Sequence, residues 1–487
     1  MRGARVVGLL LLISLTSAVA QDSIDQAVAE ALKPSSLATN LEKLTDQIGG
    51  RVPGTPAMDK AVQWGIDAFT AAGADSVRAE SFQIERSWSE GQTEMTVVEP
   101  EEFHVRVISK AWAPALAPQR HLLVKDVGYG NEQDFAKAGD VSGALVLVHS
   151  DEMRVWNDLG SEYTRARQVI DRAIKAKVVA VAFQSTRPHD LLYRHTNSVQ
   201  GEIDNMPSIL VAREDASRMA RLIGSGQNLY VNLSIPNRVG GPITAANVVA
   251  ELRGSEKPDE FVVVGAHLDS WELGTGALDD GCNAALVVDT LRAIKASGVK
   301  PRRSMRFILF AGEEQGMIGS FSYVRAHRSE LDNADAVVVF DNGNGRLTGF
   351  SLGGRKDVIP AATALLAGLK PLSGIKFTTD AGADTDNYDF MMEGVPTLVA
   401  NNEEANYLIN YHASSDTFDK VDIVALKQHV AEAVAATFAI ANASGRIGPR
   451  LKRQQITETF RETHLDEDLK TSRLWSEWEN STRGREK

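Results

Sequence analysis

Phe261-Val262-Val263-Val264-Gly265-Ala266-His267-Leu268-Asp269 is an apolar run that stops abruptly at an imidazole and a carboxylate. Three later runs behave alike: Met305 to Phe310 leads into Ala311-Gly312-Glu313-Glu314, Ala336 to Phe340 into Asp341, and Thr397 to Ala400 precedes Tyr411-His412. The intervals read as helices; within Ala284 to Ala296 the apolar positions Ala284, Val287, Leu291 and Ile294 share one face. Continuous apolar strands alternating with helices predict an α/β fold whose mainly parallel sheet is flanked by helices. Ligands of open α/β sheets bind beyond the carboxyl ends of the strands, where these polar residues stand.

Outward from this segment the chain divides by style. Residues 244–445 carry the pattern above and, with residues 21–107, form the main domain. In the earlier part, 39–74 reads as helical, interrupted by a turn at Gly49-Gly50-Arg51-Val52-Pro53-Gly54, and 77–107 alternates in the manner of strands. Residues 108–243 have apolar runs of their own (Ala144 to Val148, Val178 to Phe183, Pro207 to Val211) between helical segments, and read as an inserted domain. Residues 446–487 are a charged tail expected at the periphery, with Phe460, Trp475 and Trp478 available to dock it. There is no internal repeat with a period of ~20–50 residues.

Residues 1–20 have the layout of a signal peptide: Arg2 and Arg5, the apolar run Val6 to Leu15, then Ala18-Val19-Ala20. A secreted or periplasmic protein is the expectation, with no membrane association after signal removal, because no later apolar stretch of ~20 residues is evident. The 487 residues include 52 basic and 64 acidic side chains, a net charge of −12. That balance speaks against nucleic acid as partner. The one cysteine, Cys282, excludes an internal disulfide, and the carboxylates of Asp279 and Asp280 before it oppose a thiolate.

Five residues at the strand ends and bends are ligand candidates: His267, Asp279, Glu314, Asp341 and His412. Imidazoles and carboxylates without thiolates suit zinc or a similar divalent ion in a catalytic setting. Five are too many for one catalytic zinc with an open position, and fit two ions bridged by a carboxylate. Glu313, beside a ligand, is then the natural general base. Asp269 lies two residues after His267, where an extended chain would point it to the same side, so it is expected to accept the second imidazole N–H. Other positions read as structural. His149 repeats the H-x-D pattern without paired acids, Asp280 can be a helix N-cap, and His429 lies in an apolar helical run.

This ordered set resembles the co-catalytic zinc aminopeptidase and glutamate carboxypeptidase family. The resemblance is carried by Gly265-Ala266-His267-Leu268-Asp269-Ser270-Trp271, Gly276-Ala277-Leu278-Asp279-Asp280-Gly281 and Ala311-Gly312-Glu313-Glu314-Gln315-Gly316. It continues in Thr385-Asp386, Glu393-Gly394-Val395-Pro396 and His412-Ala413-Ser414-Ser415-Asp416-Thr417, and more weakly from Gly50 to about residue 445. It implies a zinc exopeptidase fold with two Zn2+ per chain: Asp279 bridging, His267 and Asp341 on one ion, Glu314 and His412 on the other, Glu313 as base and Asp269 as its supporting carboxylate. It further implies a short peptide or dipeptide as substrate, a protease-associated-type insert at 108–243, and a homodimer.

Cys282, the stretch 401–411 and the tail after 446 depart from the family's pattern. Whether an aminopeptidase, dipeptidase or carboxypeptidase is meant stays open, as does the role of Asp386, which could read an amino terminus or support the site. The alternatives are a metal-dependent deacylase of N-acyl amino acids and a non-catalytic scaffold of the same fold.

Overall fold

The computed structural model describes residues 21–196 and 201–486, so the signal-peptide expectation lies outside the described residues. The main sheet has eight strands among them. From edge to edge they are Ser76–Ile84, Ile243–Leu252, Arg303–Phe310, Lys257–His267, Ala334–Val339, Thr397–Asn402, Leu347–Ser351 and Lys376–Thr378. The four strands from Arg303–Phe310 to Thr397–Asn402 are parallel. Antiparallel pairings join the two outer strands on one side and Leu347–Ser351 on the other. The sheet is therefore mixed, with a parallel centre whose strands are buried on both faces.

Register explains why the polar residues converge. His267 is level with Phe310, and Gly265 is level with Val339. Asp341, two residues past Val339, therefore emerges level with His267, and Glu313 and Glu314 follow Phe310 directly. Helices cover both faces. Pro56–Ala71, Cys282–Ser297 and Ile423–Asn442 pack on one, and Ile318–Ala326 and Asn387–Met392 on the other. Thr55 caps the first of these by accepting from the Met58 N–H, with Pro56 pre-set for the first turn. Ile423–Asn442 is long and apolar enough to cross a membrane, so the expectation of no such stretch is corrected. From Leu426 to Ala441 its apolar side chains are buried in the core, while Val424 in the first turn is exposed.

A second eight-stranded sheet is built from residues 94–235 and interrupts the chain between two paired strands of the first, Ser76–Ile84 and Ile243–Leu252. It has its own apolar cores on either side. Glu94–Glu99, Phe103–Val105 and Val107–Ser109 belong to it, so the second unit starts before the expected residue 108. The alternation of 77–107 marks strands but says nothing of which sheet they join. The C-terminal segment docks through two of the aromatics that were expected to hold it, Phe460 and Trp478. Helices Arg453–Glu462, Leu465–Thr471 and Trp475–Glu479 bury Phe460, Leu469 and Trp478 against Tyr388, Met391 and Met392.

Candidate metal centre

His267 is the last residue of its strand, and the chain turns through Gly276 into the bend Ala277–Gly281 that carries Asp279. Gly276 has φ +60°, and a Cβ there would come within 2.3 Å of the Ser270 side chain, so glycine is required. Buried Arg51 binds this loop from below, donating to the carbonyls of Leu268 (2.6 Å), Thr275 (2.8 Å) and Gly276 (3.0 Å). Asp416 supports the bend by accepting from the N–H groups of Leu278 (2.7 Å) and Asp279 (3.2 Å). Burial pushes the Asp416 carboxyl up to about 7. Neither residue was singled out from the sequence as a support; long-range backbone contacts leave no local signal.

The structure brings the five candidate ligands together. His267 Nε2 lies 3.1 Å from Asp279 Oδ1 and 3.3 Å from Asp341 Oδ1. His412 Nε2 lies 3.1 Å from Asp279 Oδ2 and 2.9 Å from Glu314 Oε2. Asp279 thus turns one oxygen to each imidazole. Asp280, read from sequence as an N-cap, is also drawn in: it is buried, accepts from the His267 N–H at 3.1 Å, and groups with His267 and Asp341 within 4.8 Å.

Both imidazoles are oriented by carbonyls. His267 Nδ1–H donates to the Asp269 carbonyl at 3.0 Å, and His412 Nδ1–H to the Arg194 carbonyl at 2.8 Å. Each Nε2 is left free to face the acids. Arg194 comes from the second unit, and its own N–H returns a bond to the His412 carbonyl at 2.9 Å.

Asp269 does not do what its spacing suggested. Its carboxylate stands 3.8 Å from His267 Nδ1 and instead accepts from the N–H groups of Gly312 (2.8 Å), Glu313 (3.3 Å) and Glu314 (3.3 Å). The strand ends at His267, so the alternation that would have aimed Asp269 at the ring no longer applies. Its side chain holds the loop that carries Glu313 and Glu314.

The acids are crowded. Burial drives the Glu313 carboxyl well above its ordinary range; His267 opposes this, and Asp341, Glu314 and Asp386 add to it. Glu314 Oε1 is buried with no hydrogen-bond partner among the described residues. A nitrogen–oxygen donor set with surplus buried anionic charge and an unpaired carboxylate oxygen fits a divalent cation. Asp386 is fully buried beneath the site and also pushed up by burial. His149 and His429, read from the sequence as structural, are not among the residues gathered at the centre. His149 pairs with Asp126 (2.9 Å) in the second unit, and His429 is buried in Ile423–Asn442.

The centre opens into a cleft of about 1390 Å³. Glu313, Glu314 and Asp341 line it, with walls from the helix Trp156–Lys175, the loop 380–385 and residues 465–474 of the C-terminal segment. Tyr411 stacks on His412 (ring centroids 3.7 Å), and its hydroxyl is 3.4 Å from that of Tyr163.

Against known proteins, residues 247–438 match the model of Peptidase family M28. Carboxypeptidase Q of Mus musculus is 27% identical over 383 residues, covering 78% of this chain and 80% of its own; that of Homo sapiens is 26% identical over 388 residues, with 78% and 80% covered. A peptidase M28 precursor from Shewanella amazonensis superposes with a TM-score of 0.79 at 25% identity, covering 89% of this chain and 99% of its own. A zinc aminopeptidase from Bacillus subtilis superposes with a TM-score of 0.65 at 18% identity, covering 85% and 97%, a likeness of fold.

Proposed function

We propose that this zinc metallopeptidase, similar to Peptidase family M28 and to carboxypeptidase Q, is an exopeptidase of short peptides or dipeptides in which Asp279, with the four other candidate ligands, would hold two zinc ions. The observation that carries the reading is the placement of the Asp279 oxygens, each 3.1 Å from a different imidazole. His267 and Asp341 would hold one ion, and Glu314 and His412 the other. Zinc bound there supplies Lewis acidity, lowering the pKa of a water and polarising the scissile carbonyl. Glu313 takes the proton from the attacking water and returns it to the leaving amine as the C–N bond breaks. Asp269 keeps that carboxylate in place through the three N–H groups it anchors.

The complete donor set favours hydrolysis over a scaffold role. Export, resting on residues 1–20, a protease-associated character for the second unit, and a homodimer belong to the same proposal. Glu313→Gln tests the core of it. The variant should keep two zinc ions per chain by elemental analysis and keep its melting temperature, while dipeptide turnover falls at least ~100-fold. Near-normal kcat in that variant would remove Glu313 as the base, and one zinc per chain in the parent would remove the bridged pair.

A further inference from the structure

The C-terminal segment lies outside residues 247–438, the stretch that matches Peptidase family M28, yet it forms a wall of the cleft. That wall is fixed to the main domain. Leu465, Leu469 and Leu474 are buried in one cluster with Tyr388 and Met392, and Arg483 pairs with Asp389 at 2.7 Å. Asp468, Thr471 and Ser472 of the same segment line the cleft.

The other wall is the helix Trp156–Lys175 of the second unit, which lines the cleft at positions from Trp156 to Arg172. It is fixed in turn by Ala166, Val169, Ile170 and Ala173, which are buried in a core of the second unit. In its first half the Tyr163 hydroxyl lies 3.4 Å from that of Tyr411, the residue stacked on His412. Near its end Asp171 accepts from Arg473 of the C-terminal segment at 2.6 Å. Two separately anchored walls are thus joined by one ion pair.

The place of that pair sets a length. From Tyr163, beside the metal centre, to Asp171 is ~12 Å along the helix axis. An extended peptide rises ~3.3 Å per residue, so this distance holds about three or four residues. An exopeptidase needs room for a single residue on the side it removes, so the longer run suits the part of the peptide that is kept. The cleft volume of about 1390 Å³ exceeds the ~300–1,000 Å³ of a pocket for one drug-sized ligand, which leaves room beyond a dipeptide.

We infer that the C-terminal segment determines substrate length: its Arg473, joined to Asp171, ends the run for the kept part of the peptide, and substrates longer than about five residues are disfavoured. This rests on the peptidase reading above. Arg473 and Asp171 are 69% and 47% exposed, so their pairing adds little to the stability of the fold, and the two side chains can be replaced without unfolding it. Arg473 has φ +65°, a conformation that glycine adopts freely.

The experiment measures kcat/KM of the zinc-loaded full chain on a ladder of alanine peptides, from two to about eight residues. Each rate is taken relative to the dipeptide, which does not reach the pair, so that a general loss of enzyme cancels. In the parent the relative value should fall at least ~5-fold beyond about five residues. Arg473→Gly combined with Asp171→Ala should abolish that fall. Exchanging the charges, Arg473→Asp with Asp171→Arg, should bring it back, because the pair is re-formed with its ends swapped.

A ladder without a fall in the parent, a fall that survives removal of both side chains, or an exchanged pair that stays open overturns the assignment. Those results all include turnover of the short peptides. Absence of turnover at every length is a different result, and overturns the peptidase reading together with the length limit built on it.

Discussion

Asp269→Asn separates two roles that a carboxylate beside a metal-binding histidine can have. In the structure its Oδ1 accepts from Gly312 and Glu313 and its Oδ2 from Glu314. An asparagine keeps one carbonyl oxygen, enough for the pair at Oδ1, and sets an NH2 against the Glu314 N–H. One hydrogen bond to a charged acceptor is lost, about 1.5–3 kcal/mol of stability, and the loop must back away from the new donor. Displacing the Glu313 carboxylate by ~1 Å is enough to cost ~100-fold in turnover. His267 keeps its partner, because that partner is the Asp269 carbonyl and not its side chain.

The expected outcome is therefore a kcat reduced ~10- to 100-fold at saturating zinc, with zinc affinity almost unchanged. The assay pairs dipeptide hydrolysis with zinc titration against a competing chelator. If Asp269 acted through the imidazole instead, zinc affinity would drop ~10- to 100-fold and turnover would recover once the metal was saturating. That result would refute the loop-holding role.

Three further outcomes are expected. Arg483→Met removes the bonds from the C-terminal segment to the Gly316 (3.2 Å) and Met317 (3.4 Å) carbonyls and leaves Asp389 buried without its partner. It should destabilise the chain by about 3–5 kcal/mol in denaturant titration. Arg194→Met leaves Glu90 and Glu272 without their counter-charge and loosens the carbonyl that orients His412; a competitive chelator should read a zinc affinity lower by ~10-fold. His327 is raised above 6.5 by its bond to Glu80, which is itself lowered below 4.5 despite burial. The pair should stabilise the fold relative to His327→Gln between those two ranges. The difference disappears as pH rises through the raised histidine value, and again as pH falls through the lowered Glu80 value.

The residues at the strand ends were legible because a parallel strand buried on both faces must be continuously apolar, so the first polar residue after it marks the sheet's edge. His267, Glu313, Glu314 and Asp341 all follow that rule, and the sheet register then places them side by side. The border of the second unit was less legible: Glu94–Glu99 has the same alternation as Ser76–Ile84, and only the partner strand distinguishes them. Asp269 was legible as a residue of the site but not in its contact, because an i, i+2 argument assumes an extended chain exactly where the strand stops. The C-terminal segment read as peripheral because its charges dominate the composition, whereas a few apolar side chains decide its docking.

What no local pattern could display is how the ligand loops are held. Loops beyond strand ends have carbonyls without sheet partners, and buried carbonyls must find donors. Two buried guanidiniums and the backbone N–H of a third buried arginine supply them, each from a different part of the chain. Arg51 binds the loop between His267 and Asp279, and Arg483 the loop after Glu314. Arg194 ties the second unit to His412 through its backbone, while its guanidinium is anchored by Glu90 and Glu272 at 2.6 Å each.

One guanidinium carries five donors in a fixed plane, so it can satisfy several carbonyls at once where a lysine could not. Its burial is tolerable only with negative charge at hand: Asp389 for Arg483, two glutamates for Arg194, and Asp416, Asp269 and Asp280 around Arg51. The acids near the centre therefore hold Arg51 as well as facing the metal position.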